Sequence, residues 1–219
     1  MSDFTRNQSA KHAQEVSAKT ISIYNRMAVA YSNGTADHDV SQNINALLDA
    51  INVDGPYVIL DLGCGPGRDL CQFSALGHEV VGLDGSIELV QIARANTNCE
   101  VLHQNFLNLD LPVARFDGIF ANASLFHVPS SQLPQVLDKL AATLKAGGVL
   151  VCSNPRGNNE EGWVEGRYGC FHNLETWRTY VTDAGFQELH HYYRPTGRPR
   201  MEQPWLVTVW RRSSEFRNE

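Results

Sequence analysis

The sequence predicts a single α/β domain: a mostly parallel, seven-stranded sheet wrapped by helices, with an N-terminal helical cap. Three observations predict it. Apolar runs of strand length alternate with amphipathic stretches from residue 57 onward, the signature of β-α-β units. A glycine-rich loop, D-L-G-C-G-P-G-R-D from Asp61 to Asp69, stands directly between the first such run and the first helix after it. The length, 219 residues with 42% hydrophobic content, suits one well-filled core. A net charge of −6 offers no basic field for polyanions, so nucleic acid and membrane surfaces are disfavoured as partners. No run approaches membrane-spanning length and the first 18 residues are polar, so a cytoplasmic location is expected.

The elements follow in order. Residues 13–30 and 41–51 read as two cap helices, separated by a polar, glycine-containing stretch over 32–38. Buried parallel strands are expected at 57–62, 79–83, 100–103, 116–121 and 148–153, each apolar or β-branched and bounded by Gly, Pro, Asp or Asn. Helices at 68–75, 87–95 and 132–144 fill the gaps. Ser86 is the expected N-cap of the second, Pro129 with Ser130 and Ser131 opens the third, and Gly147 terminates it. A helix at 173–184 and strands at 187–193 and 206–210 complete an antiparallel edge, and the polar tail from Arg211 is expected to fray. The subdivisions are a cap over 1–55, a cofactor-binding core over 56–153, a substrate-side part over 154–211 and a tail over 212–219.

The glycine loop carries the chemistry. Gly63, Gly65 and Gly67 let the backbone turn tightly and approach a ligand at a strand's carboxyl end, where open parallel sheets bind ligands. Asp84, ending the second strand, places a carboxylate where both hydroxyls of a ribose can be accepted. Arg68 occupies the third glycine position of a dinucleotide fingerprint, which weakens a nicotinamide-dependent oxidoreductase reading. The five cysteines form no C-x-x-C pair and the eight histidines no H-x-x-x-H spacing, so reduced thiols and no metal site are expected.

The loop D-L-G-C-G-P-G and the segment V-G-L-D-G-S, Val81 to Ser86, resemble the first two motifs of class I S-adenosylmethionine-dependent methyltransferases, a family with a Rossmann-like fold. The resemblance implies S-adenosylmethionine as cofactor and S-adenosylhomocysteine as product. By position, Gly63 and Gly65 would contact the methionine part and Asp84 the ribose, with Cys64, Arg68, Gly85 and Ser86 around them. Asn105 and Phe106 would flank the adenine; Asn105 stands where many relatives carry Asp, and its side-chain oxygen can also accept. Asn122 and Ala123 follow the fourth strand, where cofactor and acceptor meet. Tyr24 and Tyr31 resemble the tyrosines of an N-terminal helix covering the cofactor, although ordinary core packing is an equal reading for either.

Several clusters are not needed by a cofactor-binding core: D-H-D-V-S-Q-N (37–43), N-A-S-L-F-H-V (122–128), S-N-P-R-G (153–157), R-Y-G (167–169) and Y-Y-R-P-T-G-R-P-R-M-E-Q-P-W (192–205). Loops at strand ends are where function is added. Their guanidinium groups, amides, aromatics and one imidazole suit a small aromatic zwitterion, with Arg forks for its carboxylate. Surface ion pairing is the bland alternative for each arginine. These clusters are similar to the C-terminal methyltransferase module of ovothiol synthases, over nearly the whole chain. That resemblance implies N-methylation of the imidazole of 5-thiohistidine, a histidine-derived thiol, to give ovothiol A. It implies a stand-alone version of the module, with a sulfoxide synthase as pathway partner. The acceptor-side residues are then Asn43, Phe126, His127, Arg156, Arg167, Tyr168, Arg194 and Arg200, with His127 and Asn122 selecting the ring tautomer. Methyltransfer to another small polar metabolite and a non-catalytic cofactor-binding module stay open.

Overall fold

The computed structural model describes residues 3–213. Strands β1 (Val58–Leu62), β2 (Glu79–Asp84), β3 (Glu100–His103), β4 (Phe116–Asn122) and β5 (Leu144–Pro155) run parallel. With β8 (Phe186–Arg194) and β9 (Trp205–Arg212) they form one sheet in the order β3-β2-β1-β4-β5-β9-β8. β9 lies antiparallel between β5 and β8. The fold is the expected mostly parallel, seven-stranded Rossmann-like one. The order reverses between β1 and β4, so the carboxyl ends of these strands open onto the crevice where such sheets take ligands.

Strand periodicity divides the core between the two faces. Ile59 of β1, with Val149 and Val151 of β5, packs on the face covered by α2 (Ser41–Leu48), α3 (Arg68–Ala75) and α4 (Ile87–Asn96). Leu60, Leu150 and Cys152 point the other way, towards α5 (Leu133–Thr143) and α6 (Leu174–Asp183). Trp177 of α6 is buried there, with its indole N–H donating to Thr208 Oγ1 at 3.0 Å. Ser86 caps α4 as expected, accepting from Leu89 N–H. Among the described residues no helix is long and apolar enough to cross a membrane.

Four local expectations are corrected. The first helix, α1 (Asp3–Thr35), runs through most of the stretch read as a break, because its polar end is held from outside: Arg68 Nη1 donates to the Thr35 carbonyl. Helix α5 ends at Thr143, and Gly147 (φ +73°) instead sits in an irregular start of β5, where Leu144 already pairs with Phe116. Arg211 and Arg212 belong to β9, paired to β8, not to a frayed tail; residues 214–219 lie outside the described ones. A hairpin, β6 (Glu160–Val164) and β7 (Arg167–Phe171), stands off the main sheet where no strands were expected.

Candidate active site

The glycine loop is tied down from below. Gly63 and Cys64 both donate backbone N–H bonds to the Leu83 carbonyl, so the loop is held against the end of β2. Gly63 adopts φ +81°, and a Cβ there would stand 2.4 Å from the Ser124 Cβ. Gly65 (φ +53°) has open space beside it, with only the Tyr31 ring 3.6 Å from where a Cβ would be. Asp84 Oδ2 accepts from Gly65 N–H at 3.0 Å and Oδ1 from Ser86 N–H at 2.8 Å. Burial raises the Asp84 carboxyl above its ordinary value, opposed by those N–H bonds. Asp61, beneath the loop, is 2% exposed with Oδ2 unpartnered among the described residues. Burial, with Asp69 beside it, lifts its carboxyl well above the usual range. In the sequence this carboxyl is marked only by its place in the motif, two residues before Gly63.

A cavity opens over this loop, bounded by Asp84, Gly85 and Ser86 on one side and Asn105, Phe106 and Leu107 on another. Helix α1 roofs it with Ser17, Thr20, Ile21, Tyr24 and Tyr31; the first three were not anticipated, because a solvent-facing helix and a lid read alike in sequence. Asn105 Oδ1 is already committed, accepting from Leu107 N–H at 2.9 Å and from the Ser17 hydroxyl at 3.1 Å, which leaves its Nδ2 as the uncommitted end.

A second, wider cleft continues from the first, sharing Tyr24, Tyr31, Gly63, Gly65, Ala123 and His127 as a common wall. Cys64, Arg68, Asn122, Phe126, Arg167, Tyr168 and Arg194 line it, as do Phe171 and Trp205. Three expected residues line neither space. Arg156 and Arg200 organise the loop before β9: Arg156 donates to the carbonyls of Gln203 and Arg200, and the Arg200 guanidinium stacks on Tyr193. Asn43 is fully buried behind Asn122. Arg68 grips Asp69 with Nε and Nη2. Arg194 donates one bond, to the Asp39 carbonyl.

At the common wall, His127 Nδ1 stands 2.6 Å from the Tyr168 carbonyl and Nε2 stands 2.8 Å from the Tyr24 hydroxyl. Burial lowers the His127 pKa to about 4, so the ring is neutral at pH 7. A carbonyl only accepts, so the proton resides on Nδ1 and Tyr24 donates to Nε2. Arg167 Nη1 donates in turn to the Tyr24 oxygen. Burial holds the Tyr24 hydroxyl protonated by raising its pKa, and pushes Tyr31 up to about 12.

The residues suit S-adenosylmethionine. The loop leaves room for a ligand at Gly65, and the half-buried Asp84 carboxyl on the cavity wall is placed to accept from the hydroxyls of a ribose. Residues 59–148 match the family model described as a methyltransferase domain. An uncharacterized methyltransferase of Mycobacterium tuberculosis is 30% identical over 109 residues, which are 48% of this chain and 54% of that protein. Trans-aconitate 2-methyltransferase of Escherichia coli is 29% identical over 171 residues, 75% of this chain and 63% of its own length. The chain thus spans about half to two thirds of the length of these curated relatives. Among solved structures, the Burkholderia thailandensis 1,6-didemethyltoxoflavin-N1-methyltransferase, with S-adenosylhomocysteine bound, superposes with a TM-score of 0.74. It is 21% identical, the match covering 92% of this chain and 90% of that one. An S-adenosylmethionine-dependent methyltransferase from Mesorhizobium loti gives 0.65 at 22% identity, covering 76% and 96%. Residues 59–148 thus match a methyltransferase domain, and the chain has the fold of S-adenosylmethionine-dependent methyltransferases of known structure.

Proposed function

We propose that the chain methylates a ring nitrogen of a small aromatic zwitterion, with 5-thiohistidine as acceptor and ovothiol A as product. The observation that carries the reading is the shared wall: one glycine loop and one Tyr24–His127 pair border both the cofactor cavity and a cleft carrying aromatic rings and arginines. The resemblance of the acceptor-side clusters to the ovothiol synthase module supplies the specific acceptor. Two relatives act, by name, on small molecules, one of them at a ring nitrogen.

When bound, S-adenosylmethionine supplies an electrophilic methyl group on a sulfonium. The chain's task is then to hold a nitrogen lone pair in line and to exclude water, for which orientation is the largest available contribution. Arg194, with most of its guanidinium uncommitted, binds the acceptor carboxylate. Phe126, Phe171 and Trp205 enclose the ring. Arg68, neutralised by Asp69, contributes shape rather than charge. His127, with both ring nitrogens engaged within the protein, works through Tyr24: it fixes the hydroxyl hydrogen, leaving the Tyr24 oxygen lone pairs towards Arg167 and the cleft. No group of this network is needed as a base if the attacking nitrogen is neutral.

The test is mass spectrometry of purified protein with S-adenosylmethionine and 5-thiohistidine, free histidine serving as control acceptor. A product one methylene unit heavier from thiohistidine alone is expected. Failure to transfer, with S-adenosylhomocysteine binding demonstrated, would overturn the acceptor and leave the cofactor site standing.

A further inference from the structure

We infer that Tyr192 and Asn43 form a positioning relay that locks Asn122 with its side-chain N–H groups facing the acceptor cleft, so that the site selects acceptors presenting a lone-pair-bearing atom there. The choice of acceptor class rests on the reading above; the relay itself does not.

Asn43 is 0% exposed, on the buried face of α2 beside Ile44 and Leu47. An unpaired amide there would cost on the order of 1–3 kcal/mol, so its partners decide its orientation. Asn43 Nδ2 donates to Asn122 Oδ1 at 2.9 Å, and Asn43 Oδ1 accepts from the Tyr192 hydroxyl at 2.9 Å. These contacts join α2, the last residue of β4 and the antiparallel edge strand β8 across 79 and 149 residues of sequence.

The polarity starts at Tyr192. Its single hydrogen has two acceptors in reach, Asn43 Oδ1 at 2.9 Å and the Gln42 carbonyl at 3.3 Å, and the shorter bond takes it. Burial raises this hydroxyl's pKa to about 12, so it is a donor throughout the neutral range. With Asn43 Oδ1 thus occupied, Nδ2 is the end that meets Asn122, and it requires the Asn122 oxygen. Asn122 Nδ2 is left without a protein partner among the described residues, on a side chain lining the cleft. A donor there matches a thiolate or an unprotonated ring nitrogen and opposes an N–H. The atom it binds loses nucleophilicity, so it is not the atom that attacks; in thiohistidine this restrains the competing sulfur.

The experiment follows side-chain amide hydrogen exchange by NMR in the full chain labelled with ¹⁵N-asparagine, beside steady-state kinetics. In the wild type the Asn43 amide is expected to exchange slowly and the Asn122 amide rapidly. Asn43→Asp, read at a pH where its carboxylate is ionised, can only accept, so Asn122 turns its N–H groups inward and they become protected. Acceptor kcat then falls by about tenfold or more, the worth of one hydrogen bond, while S-adenosylhomocysteine affinity is unchanged. Tyr192→Phe, which leaves the packing intact, is expected to lower kcat in the same direction by a smaller factor. A protected Asn122 amide in the wild type would overturn the relay, as would unchanged exchange in both variants. Absence of wild-type turnover on 5-thiohistidine would remove the acceptor assignment alone, because the exchange pattern is read without acceptor.

Discussion

The Tyr24 hydroxyl lies 2.8 Å from Nε2 of His127, and the opposite ring nitrogen is held 2.6 Å from the Tyr168 carbonyl. The pair therefore joins the N-terminal helix, the loop after β4 and the β6–β7 hairpin at the boundary between cofactor cavity and cleft. His127→Gln keeps one donor and one acceptor but changes their spacing, so it should lower acceptor kcat while leaving S-adenosylhomocysteine affinity unchanged. Calorimetry and steady-state kinetics on one preparation check this, and equal losses in both would point to a collapsed site.

The same histidine makes stability depend on pH. Its folded pKa, about 4, lies below the unfolded value of 6.5, so the unfolded chain binds more protons between the two. The contribution is fully present above about pH 6.5 and is lost as the pH falls towards 4. Between pH 7.5 and 5 the wild type should lose roughly 2 kcal/mol through this group. Urea titrations of wild type and His127→Gln, run at both pH values, should show a smaller loss in the variant.

Asp84→Ala should weaken S-adenosylhomocysteine binding by roughly 1.5–3 kcal/mol, the range for hydrogen bonds to a charged group. It also strips the acceptor from the N–H groups of Gly65 and Ser86, so some thermal stability is lost as well. Unchanged affinity in calorimetry would remove Asp84 from the cofactor site.

Two neighbouring glycines should fail differently. Gly63→Ala puts a methyl 2.4 Å from Ser124 at a positive φ, and should cost roughly 3 kcal/mol of stability through strain and overpacking together. Gly65→Ala meets nothing nearer than 3.6 Å and should cost only about 1 kcal/mol. Its methyl projects into the ligand space, so cofactor affinity should fall more than stability does. Chemical denaturation and calorimetry of both variants separate the two effects.

Arg194→Lys replaces a planar fork by a point charge, and should raise KM for the acceptor by about tenfold or more with little change in kcat. Arg200→Lys, outside the cleft, should leave KM unchanged. Comparable effects from both would move the carboxylate site away from Arg194.

Local spacing determined much of this protein without tertiary help. The glycine loop, Asp84 and the run of buried strands are legible because a β-α turn, a strand end and an apolar run are set by neighbours in sequence. Tyr24 and His127 could be nominated one at a time on the same basis. Their contact, 103 residues apart, could not. The hairpin was missed because Glu160–Val164 reads E-E-G-W-V, with no apolar alternation, and its stability comes from pairing with β7 and from the Tyr168 backbone N–H donating to Thr20 of α1. Among the acceptor-side arginines, sequence could not separate Arg194, which reaches the cleft, from Arg156 and Arg200, which brace a loop. A guanidinium reaches several ångströms from its Cα, and only the packed chain decides which carbonyls it meets first. Asn43 shows the same limit: its residue type promised a polar role, but the direction of its amide depends on a hydroxyl 149 residues away.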